Sequence, residues 1–437
     1  VDKPIICTNP CAEVPLEDGG ACNLGSINLS RFINNGFTAE ASIDWDQLAE
    51  STETLVRFLD NVVTWNEDLN ALEKQRQAAS ETRRLGLGVM GIADMLNQLG
   101  VAYDSEQGTM MIEKVMEYIT NAAYQASSFI AKEKNPSPIF DEKSYMECPF
   151  VKEALSEQTH NMIRKHGLRN IAIMSIAPTG SISNIVLGYK SESKNYIGVS
   201  GGVEPIFSVF YTRRSESFGN KFFKVFHSTV QAYIDKMGIQ DDVDKAESVD
   251  DVLPEYLTRT AHKIDSVKRV NVQGVIQRYI DHSISSTINL PEDVNPEEIS
   301  DIYIKAWKNN LKGVTIYRDG SRFPILSVEN KMTEYQEMKT KSYSIMQENG
   351  ETIEMAGDDI FKLPDGKLTT MYHYLKNVQS KSEESIHIFT IHSHSDCILH
   401  SISLGYPIHS IISSSIISNS VEILSSICKV STLITIT

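Results

Sequence analysis

The sequence predicts an α/β fold, in which helices alternate with short buried strands. Apolar residues recur with helical spacing in five segments, at 43–70, 91–100, 107–134, 219–237 and 297–311. Apolar runs of strand length occur at 169–176, 285–290 and 313–317. Such alternation is typical of α/β architectures.

The first two helices are predicted from their apolar stripes. In 43–70 the stripe consists of Leu48, Leu55, Phe58, Leu59, Val62 and Val63. The second helix begins near Gly91, carries Ile92, Met95, Leu96 and Leu99 on one face, and stops at Gly100. The run 169–176 reads as a buried strand because it is short, apolar and followed by a Pro-Thr-Gly-Ser turn.

The composition excludes some classes of partner. Acidic residues (57) outnumber Lys and Arg (41), which gives a formal net charge of −16 and argues against direct binding to nucleic acid or to an anionic membrane. The chain has no run of 18 apolar residues, so we expect no membrane span. Six irregularly spaced cysteines do not form a disulfide framework, which favours a reducing, cytoplasmic location.

The C-terminal part differs in character from the rest. Residues 327–360 are polar and weakly patterned, which suggests a linker, and we interpret 327–400 as a linker or peripheral segment. Residues 401–437 contain 11 Ser and 10 Ile, with Glu422 and Lys429 as the charged residues. This composition is β-prone and poor in solubilising charge, so we expect 401–437 to lie outside the fold.

Two motifs are better explained without a ligand. Gly86 to Gly91 matches the dinucleotide fingerprint GxGxxG, but the preceding Glu81-Thr82-Arg83-Arg84 is no hydrophobic strand, so close packing of glycines is the preferred interpretation. A possible zinc cluster consists of His392, His394, Asp396, Cys397 and His400. Its compositionally biased surroundings favour accidental clustering, and we predict no metal site.

The segment that follows the predicted strand at 169–176 is a candidate phosphate-binding loop. Glycine allows close backbone approach, hydroxyl groups flank the peptide amides, and a helix can begin directly after the turn. An ordinary strand-to-helix turn with a serine cap is the alternative. The candidate residues are Pro178, Thr179, Gly180, Ser181, Ile182 and Ser183.

The first thirty residues carry the strongest chemical signal. Asn9, Cys11 and Glu13 occupy alternate positions, and in an extended loop such side chains share a face. Together they supply a hydrogen-bond donor, a reactive sulfur and an acid/base. Cys22, eleven residues after Cys11, can supply reducing equivalents. A polar loop with two buried cysteines is the alternative for this segment alone.

Several separated blocks together resemble the catalytic subunit of ribonucleotide reductases, over about residues 5–326 and in the expected order. The blocks are Asn9–Glu13, Cys22–Leu29, Thr82–Gly91, Ala177–Asn184, Gly201–Phe207, Ser285–Pro291 and Lys312–Arg322. The resemblance implies half of a ten-stranded α/β barrel with a central finger loop. The barrel domain would occupy 1–326, followed by an irregular C-terminal tail.

The resemblance also implies roles for individual residues. Cys11 would carry the thiyl radical that abstracts the ribose 3′-hydrogen, Glu13 would be the general base for the 3′-hydroxyl, and Asn9 would hold the ribose hydroxyls. Cys22 would be one member of the cysteine pair that supplies two electrons. The loop at 178–183 would bind the phosphates of a ribonucleoside diphosphate.

Two departures from the family pattern favour the adenosylcobalamin-dependent class. Tyr317 is followed directly by Arg318, so the adjacent tyrosine pair of the class that takes its radical from a metal-containing partner subunit has no counterpart. The short spacing between Cys11 and Cys22 also resembles the cobalamin class. The partner-dependent class remains the alternative.

The resemblance covers only the C-terminal half of a reductase barrel. The partner of Cys22, five barrel strands and the C-terminal cysteine pair have no counterpart here, so we expect the missing N-terminal half or a homodimer partner to be required. Thioredoxin or glutaredoxin is the expected reductant. A split or non-catalytic fragment is the second alternative.

Overall fold

The computed structural model describes residues 3–215, 221–321, 334–346, 352–363 and 365–381, together with three short strands nearer the C-terminus. The strands are β1 (Cys7–Thr8), β2 (Pro15–Leu16), β3 (Asn23–Asn28), β4 (Ile33–Asn34), β5 (Ser42–Ile43), β6 (Leu85–Met90), β7 (Leu187–Lys190), β8 (Asn195–Ile197), β9 (Phe210–Ser215), β10 (Lys221–Phe226), β11 (Thr287–Leu290), β12 (Thr315–Arg318), β13 (Ser342–Met346), β14 (Thr352–Ala356), β15 (Ile360–Lys362), β16 (Leu368–Thr370), β17 (Thr390–Ser393), β18 (Asp396–Ile398) and β19 (Leu433–Ile436).

The α-helices are α1 (Trp45–Asn66), α2 (Glu73–Thr82), α3 (Ile92–Gln98), α4 (Glu106–Lys134), α5 (Glu142–Glu147), α6 (Pro149–Ala154), α7 (Glu157–His166), α8 (Ser228–Met237), α9 (Gln240–Lys245), α10 (Glu255–Thr258), α11 (Ser266–Gln277), α12 (Pro296–Lys308), α13 (Glu334–Met338) and α14 (Met371–Lys381). Short 3-10 helices occur at Leu29–Phe32, Ile182–Asn184 and Val249–Asp251. Within the described residues no helix has the length and apolarity needed to cross a membrane.

Five extended segments form a parallel array at the centre of the first unit. Strand β3 pairs in parallel with β6, and β6 continues to the segment around Met174 through a parallel bridge from Leu87. That segment pairs with the next through Ile176 and Ile284, and the array ends with parallel β11 and β12. The α/β prediction is confirmed, and the described strands do not close into a complete barrel.

Helices cover the centre of the array, where β6 is apolar on both faces. Every residue of β6 is buried, as expected for a parallel strand inside an α/β fold. Leu48, Val56 and Leu59 of α1 and Ile112 and Ile119 of α4 join the same core. Gly88 permits the close approach of the neighbouring segment, since a Cβ there would collide with the carbonyl oxygen of Ser175. The glycines of the Gly86 to Gly91 motif therefore allow neighbouring segments to pack closely.

Most predicted elements are present, with three differences. Residues 219–237 are not one helix, because Lys221–Phe226 form β10, which pairs antiparallel with β9, and the helix begins only at Ser228. Phe58, assigned to the buried stripe of the first helix, is 60% exposed. The predicted strand 169–176 contributes isolated bridges and hydrogen bonds to the array rather than a continuous ladder.

The chain divides into two compact units. The first comprises 1–291 and 302–328, and the second comprises 292–301 and 329–437. In the second unit Tyr343, Met371 and Leu375 form a small core, and the sheet order is β14-β13-β19-β17-β18. Residues 327–360, for which the sequence suggests a linker, contain α13, β13, β14 and the first residue of β15 in their described part.

The prediction that 401–437 lies outside the fold stays a prediction. Residues 401–432 lie outside the described residues, and the strand at 433–436 pairs with β13 in the second unit.

Candidate functional site

A tight hairpin presents Cys11 at its tip. Strands β1 and β2 pair with Cys7 opposite Leu16 and Thr8 opposite Pro15, which leaves six residues for the loop. The amide of Asn9 donates to the carbonyl oxygen of Val14 at 3.1 Å, and the Val14 amide donates to Oδ1 of Asn9 at 3.0 Å. The Cys11 thiol is free and exposed. The Cys11 thiol therefore lies on a turn that these two hydrogen bonds stabilise.

Glu13 is buried and is fixed to the parallel array through its backbone. Its carbonyl oxygen accepts hydrogen bonds from Oγ of Ser175 and from the amide of Ser283, both at 2.9 Å. The side chain is 1% exposed, and Oε2 has no partner among the described residues. A buried carboxylate oxygen without a donor is costly, which is typical of a functional site.

The loop is not extended throughout, as the sharing of one face by Asn9, Cys11 and Glu13 would require. The amide of Ala12 donates to the carbonyl oxygen of Asn9 at 3.0 Å, and Ala12 has a left-handed φ of 65°. As a consequence Cys11 is exposed while Glu13 is buried, so their side chains do not lie in equivalent surroundings. The turn forms because Asn9 satisfies the Val14 amide from within the loop.

Cys22 lies immediately before β3 and is a free, half-buried thiol. Burial raises its pKa to about 12; nearby Arg84 acts in the opposite direction, and the carboxylates of Asp281, Glu13 and Glu17 raise it further. Cys22 is therefore a protonated thiol at neutral pH, within electrostatic reach of Glu13. Gly86 makes room for the Cys22 sulfur, because a Cβ atom at position 86 would lie only 3.0 Å from Sγ of Cys22.

The candidate phosphate loop has three free peptide amides. No described residue accepts a hydrogen bond from the amides of Gly180, Ser181 or Ile182. Thr179 holds the turn with a left-handed φ of 53°, unusual for a β-branched residue, while its Oγ1 accepts from the Gly202 amide at 2.8 Å. Consecutive free amides in such a turn form an anion-binding concavity.

A cavity of about 830 Å³ opens beside this loop. Its lining is rich in hydroxyl groups and includes Pro178, Gly180, Ser183, Asn184, Ser200, Gly201, Glu204, Ser208, Tyr211, His227, Ser285, Thr287, Asn289, Thr315, Tyr317 and Ser321. Its size is within the range of pockets for small-molecule ligands.

The Cys11 hairpin and the cavity are attached to the same two segments of the array. Ser175 and Ser283 hold Glu13, while Pro178 and Ser285, two or three residues further along, line the cavity. At about 3.3 Å per residue, the two places are separated by roughly 7–10 Å along the strands. The array thus brings the predicted thiol loop and the predicted phosphate loop to one region.

Not every predicted residue lines the cavity. Thr179, Ser181 and Ile182 are absent from the lining, as are Asn9, Cys11, Glu13 and Cys22. The described residues contain no group of three or more His, Cys, Asp or Glu arranged to hold a metal ion. His394 and His400 of the possible zinc cluster lie outside the described residues.

Two contacts made by residues that line the cavity were not predicted from the sequence. Glu204 accepts from Nη2 of Arg269 at 2.9 Å and from the Thr287 amide at 2.8 Å, which ties one wall to the array. Asp94 holds His227, with Nε2 and Oδ1 2.7 Å apart. Glu204 and Thr287 lie in the blocks Gly201–Phe207 and Ser285–Pro291, which resemble the family. Asp94 and His227 lie in segments predicted as helices, but nothing in the sequence pairs them.

Comparison with known proteins matches one family. Residues 1–317 match the family model described as ribonucleotide reductase, barrel domain. The solved structure of the Actinobacillus ureae class Id ribonucleotide reductase alpha subunit is similar in fold, with a TM-score of 0.53 and 21% identity, over 73% of this chain and 54% of that one.

Curated relatives of two kinds are similar in sequence. The vitamin B12-dependent ribonucleoside-diphosphate reductases of Mycobacterium tuberculosis and Thermoplasma acidophilum are each 33% identical, over 73% and 72% of this chain and 42% and 38% of those proteins. The ribonucleoside-diphosphate reductase subunit alpha of Chlamydia pneumoniae is 29% identical, over 70% of this chain and 31% of that protein. The chain thus spans about two fifths or less of the length of these curated relatives.

Proposed function

This chain belongs to the ribonucleotide reductase barrel-domain family, and we propose that it carries the thiol loop and phosphate loop for reducing ribonucleoside diphosphates to 2′-deoxyribonucleoside diphosphates. The observation that carries the proposal is the attachment of the Cys11 hairpin, through Glu13, to the two segments that also line the cavity. This arrangement supports a substrate whose phosphates lie at the loop and whose ribose reaches toward Cys11.

Each residue of the hairpin has a proposed role in the first half of the reaction. The Cys11 thiyl radical takes the hydrogen atom from C3′ and becomes a thiol. Glu13 accepts the proton of the 3′-hydroxyl, for which its unpartnered Oε2 is suited. Asn9 uses Oδ1 to brace the loop, and its Nδ2 remains to hold the ribose hydroxyls.

Cys22 has its proposed role in the reductive half. The 2′-hydroxyl leaves as water, and Cys22 with a second thiol supplies two electrons as the pair becomes a disulfide. Cys11 then returns a hydrogen atom to C3′ and regains its radical. A protonated Cys22 suits this step, because the reduction uses the hydrogen of the thiol as well as its electrons.

The loop at 178–183 is the proposed phosphate site. The free amides of Gly180, Ser181 and Ile182 donate to phosphate oxygens, and Ser183 lines the cavity beside them. Pro178 and Thr179 act by shape: Pro178 begins the turn, and Thr179 holds it through Gly202.

Adenosylcobalamin is the proposed radical source, supported by the names of the Mycobacterium and Thermoplasma relatives. When bound, it supplies a radical by homolysis of its cobalt–carbon bond. The exposed Cys11 thiol is accessible to such a group. We assign no residue to holding cobalamin and derive no step through it.

A reductant and a further part of the assembly also belong to this proposal. Thioredoxin or glutaredoxin would re-reduce the Cys22 disulfide. The missing N-terminal half would supply the second thiol, and a homodimer partner is the alternative to that half as a required partner. The domain limits 1–326, 327–400 and 401–437 remain predictions of the sequence.

The central test replaces Cys11 by serine in the complete natural assembly. We expect C11S to abolish both deoxynucleotide formation and release of tritium from 3′-tritiated ribonucleoside diphosphate, because serine cannot form the radical. Nucleotide binding should remain. C7S is the matched control, since Cys7 is an exposed thiol of the same hairpin and should keep full turnover. Turnover by C11S would refute the thiyl role.

The radical source can be tested by reconstitution. Product formation that requires added adenosylcobalamin, and no second metal-containing subunit, is the expected result. Turnover with only a metal-containing partner protein would favour the alternative represented by the Chlamydia pneumoniae relative. No turnover under either condition, with every barrel segment supplied, would favour a non-catalytic fragment.

A further inference from the structure

We propose that His227, oriented by the buried carboxylate of Asp94, is a binding residue for the phosphates of the nucleotide in the cavity. The inference rests on the proposed function, because it takes a ribonucleoside diphosphate as the occupant. It adds to the peptide amides of the loop a side chain that can carry positive charge.

Asp94 is the fixed point of this arrangement. It is fully buried in α3, and its Oδ2 accepts from the amide and from Oγ of Ser200, both at 2.7 Å. Its Oδ1 accepts from His227 Nε2 at 2.7 Å and from Thr229 Oγ1 at 2.5 Å. Burial raises the carboxyl pKa, but the charge of His227 and these hydrogen bonds outweigh burial and hold it at about 2. Asp94 is therefore ionised at neutral pH.

His227 is held at one ring nitrogen and free at the other. Its Nε2 contacts Asp94, whereas Nδ1 has no hydrogen-bond partner among the described residues. The side chain lines the cavity and is 19% exposed. The imidazole of His227 already contacts the Asp94 carboxylate through Nε2. A phosphate oxygen that approaches Nδ1 adds a second favourable contact, because anions on both sides stabilise the imidazolium.

The charge of the cavity wall points to the same residue. No Lys or Arg is among the described residues that line the cavity, and Glu204 is already paired with Arg269 and the Thr287 amide. His227 is thus the lining side chain able to become cationic. Hydrogen bonds between charged groups are stronger than neutral ones, so this residue would discriminate for phosphate.

A short segment, 198–202, links His227 to the phosphate loop. Ser228, next to His227, donates to the carbonyl oxygen of Gly198. The following Val199 amide donates to the carbonyl oxygen of Ser183 at 2.9 Å, and Gly202 donates to Thr179. His227 and the loop are therefore joined through one connected set of hydrogen bonds rather than lying on unrelated parts of the fold.

The test is calorimetric titration of the full chain with a ribonucleoside diphosphate and with the corresponding nucleoside. H227Q should weaken diphosphate binding roughly ten- to a hundredfold, as expected for loss of a hydrogen bond between charged groups, while nucleoside binding stays unchanged. H166Q is the matched control, because His166 lies at the end of α7 and does not line the cavity. Its affinities should equal those of the wild type.

The outcomes separate the two proposals. Equal diphosphate affinity in the wild type and H227Q, or equal weakening for diphosphate and nucleoside, overturns the role of His227 alone. A wild-type chain that binds no diphosphate overturns the proposed function and this inference with it. Thermal unfolding verifies that the variant is folded, and H227N replaces H227Q if it is not.

Discussion

At the scale of single residues, the site is built from groups with unusual surroundings. His282 is 2% exposed, and its Nε2 has no partner among the described residues. Burial lowers its pKa to about 4, with Arg84 and Lys312 acting in the same direction and Asp281 opposing them. His282 lies beside Ser283, which anchors Glu13, so its protonation state bears on the stability of the site.

His282 should make the fold sensitive to acid. Its pKa is near 6.5 in the unfolded chain and about 4 in the folded one, so the unfolded state binds the proton more readily. The contribution of neutral His282 to the free energy of unfolding is fully present above pH 6.5. It falls by about 3 kcal/mol as the pH drops to 4. Urea unfolding across this range should show a shallower decline for H282N than for the wild type.

A control variant and an unchanged H282N would each show whether His282 causes the acid sensitivity. H166N is the control for removing a histidine at the end of α7. Burial, Lys165 and Lys132 also lower the pKa of His166, so the decline of H166N should lie between those of the wild type and H282N. An unchanged slope in H282N would mean that other groups account for acid sensitivity.

At the scale of elements, the phosphate loop depends on one hydroxyl. Thr179 adopts a left-handed φ and accepts the Gly202 amide, a conformation that persists only when its surroundings maintain it. Thr179 is only 8% exposed, so its side chain stabilises the shape of the loop rather than contacting a ligand directly.

T179V and T179S form a matched pair for this element. T179V should lower the free energy of unfolding by about 1–3 kcal/mol, because it leaves the Gly202 amide without its acceptor, and should weaken diphosphate binding. T179S keeps the hydroxyl and should retain both properties. Denaturant unfolding and titration measure the two effects; identical behaviour of both variants would exclude the hydroxyl as the cause.

Local sequence patterns predicted elements better than they predicted how the site is held. The helix at 107–134 was predicted because its apolar spacing persists over many turns, and α4 spans Glu106–Lys134. Strand β10 was missed because its apolar residues Phe222, Phe223, Val225 and Phe226 also suit a helix. The segment forms a strand because it pairs antiparallel with β9, which local sequence does not reveal. The anchors of Glu13 could not be predicted, since Ser175 and Ser283 are 162 and 270 positions away.

At the scale of the whole molecule, the chemistry is assembled by the parallel array. The thiol hairpin, with its buried Glu13, and the phosphate loop come from distant parts of the chain. Each is attached to the segments around Ser175 and Ser283 or to their continuations. A half array of five parallel segments is thus sufficient to place the proposed radical residue and the proposed phosphate site together.

The outer members of that array have a consequence for handling the protein. Among the described residues β3 pairs only with β6 and β12 only with β11, so each has one side whose amides and carbonyls lack a neighbouring strand. Unpaired strand edges are templates for further strands. The same two edges that would receive the rest of a barrel are therefore the places where copies of this chain, kept alone at high concentration, would begin to self-associate.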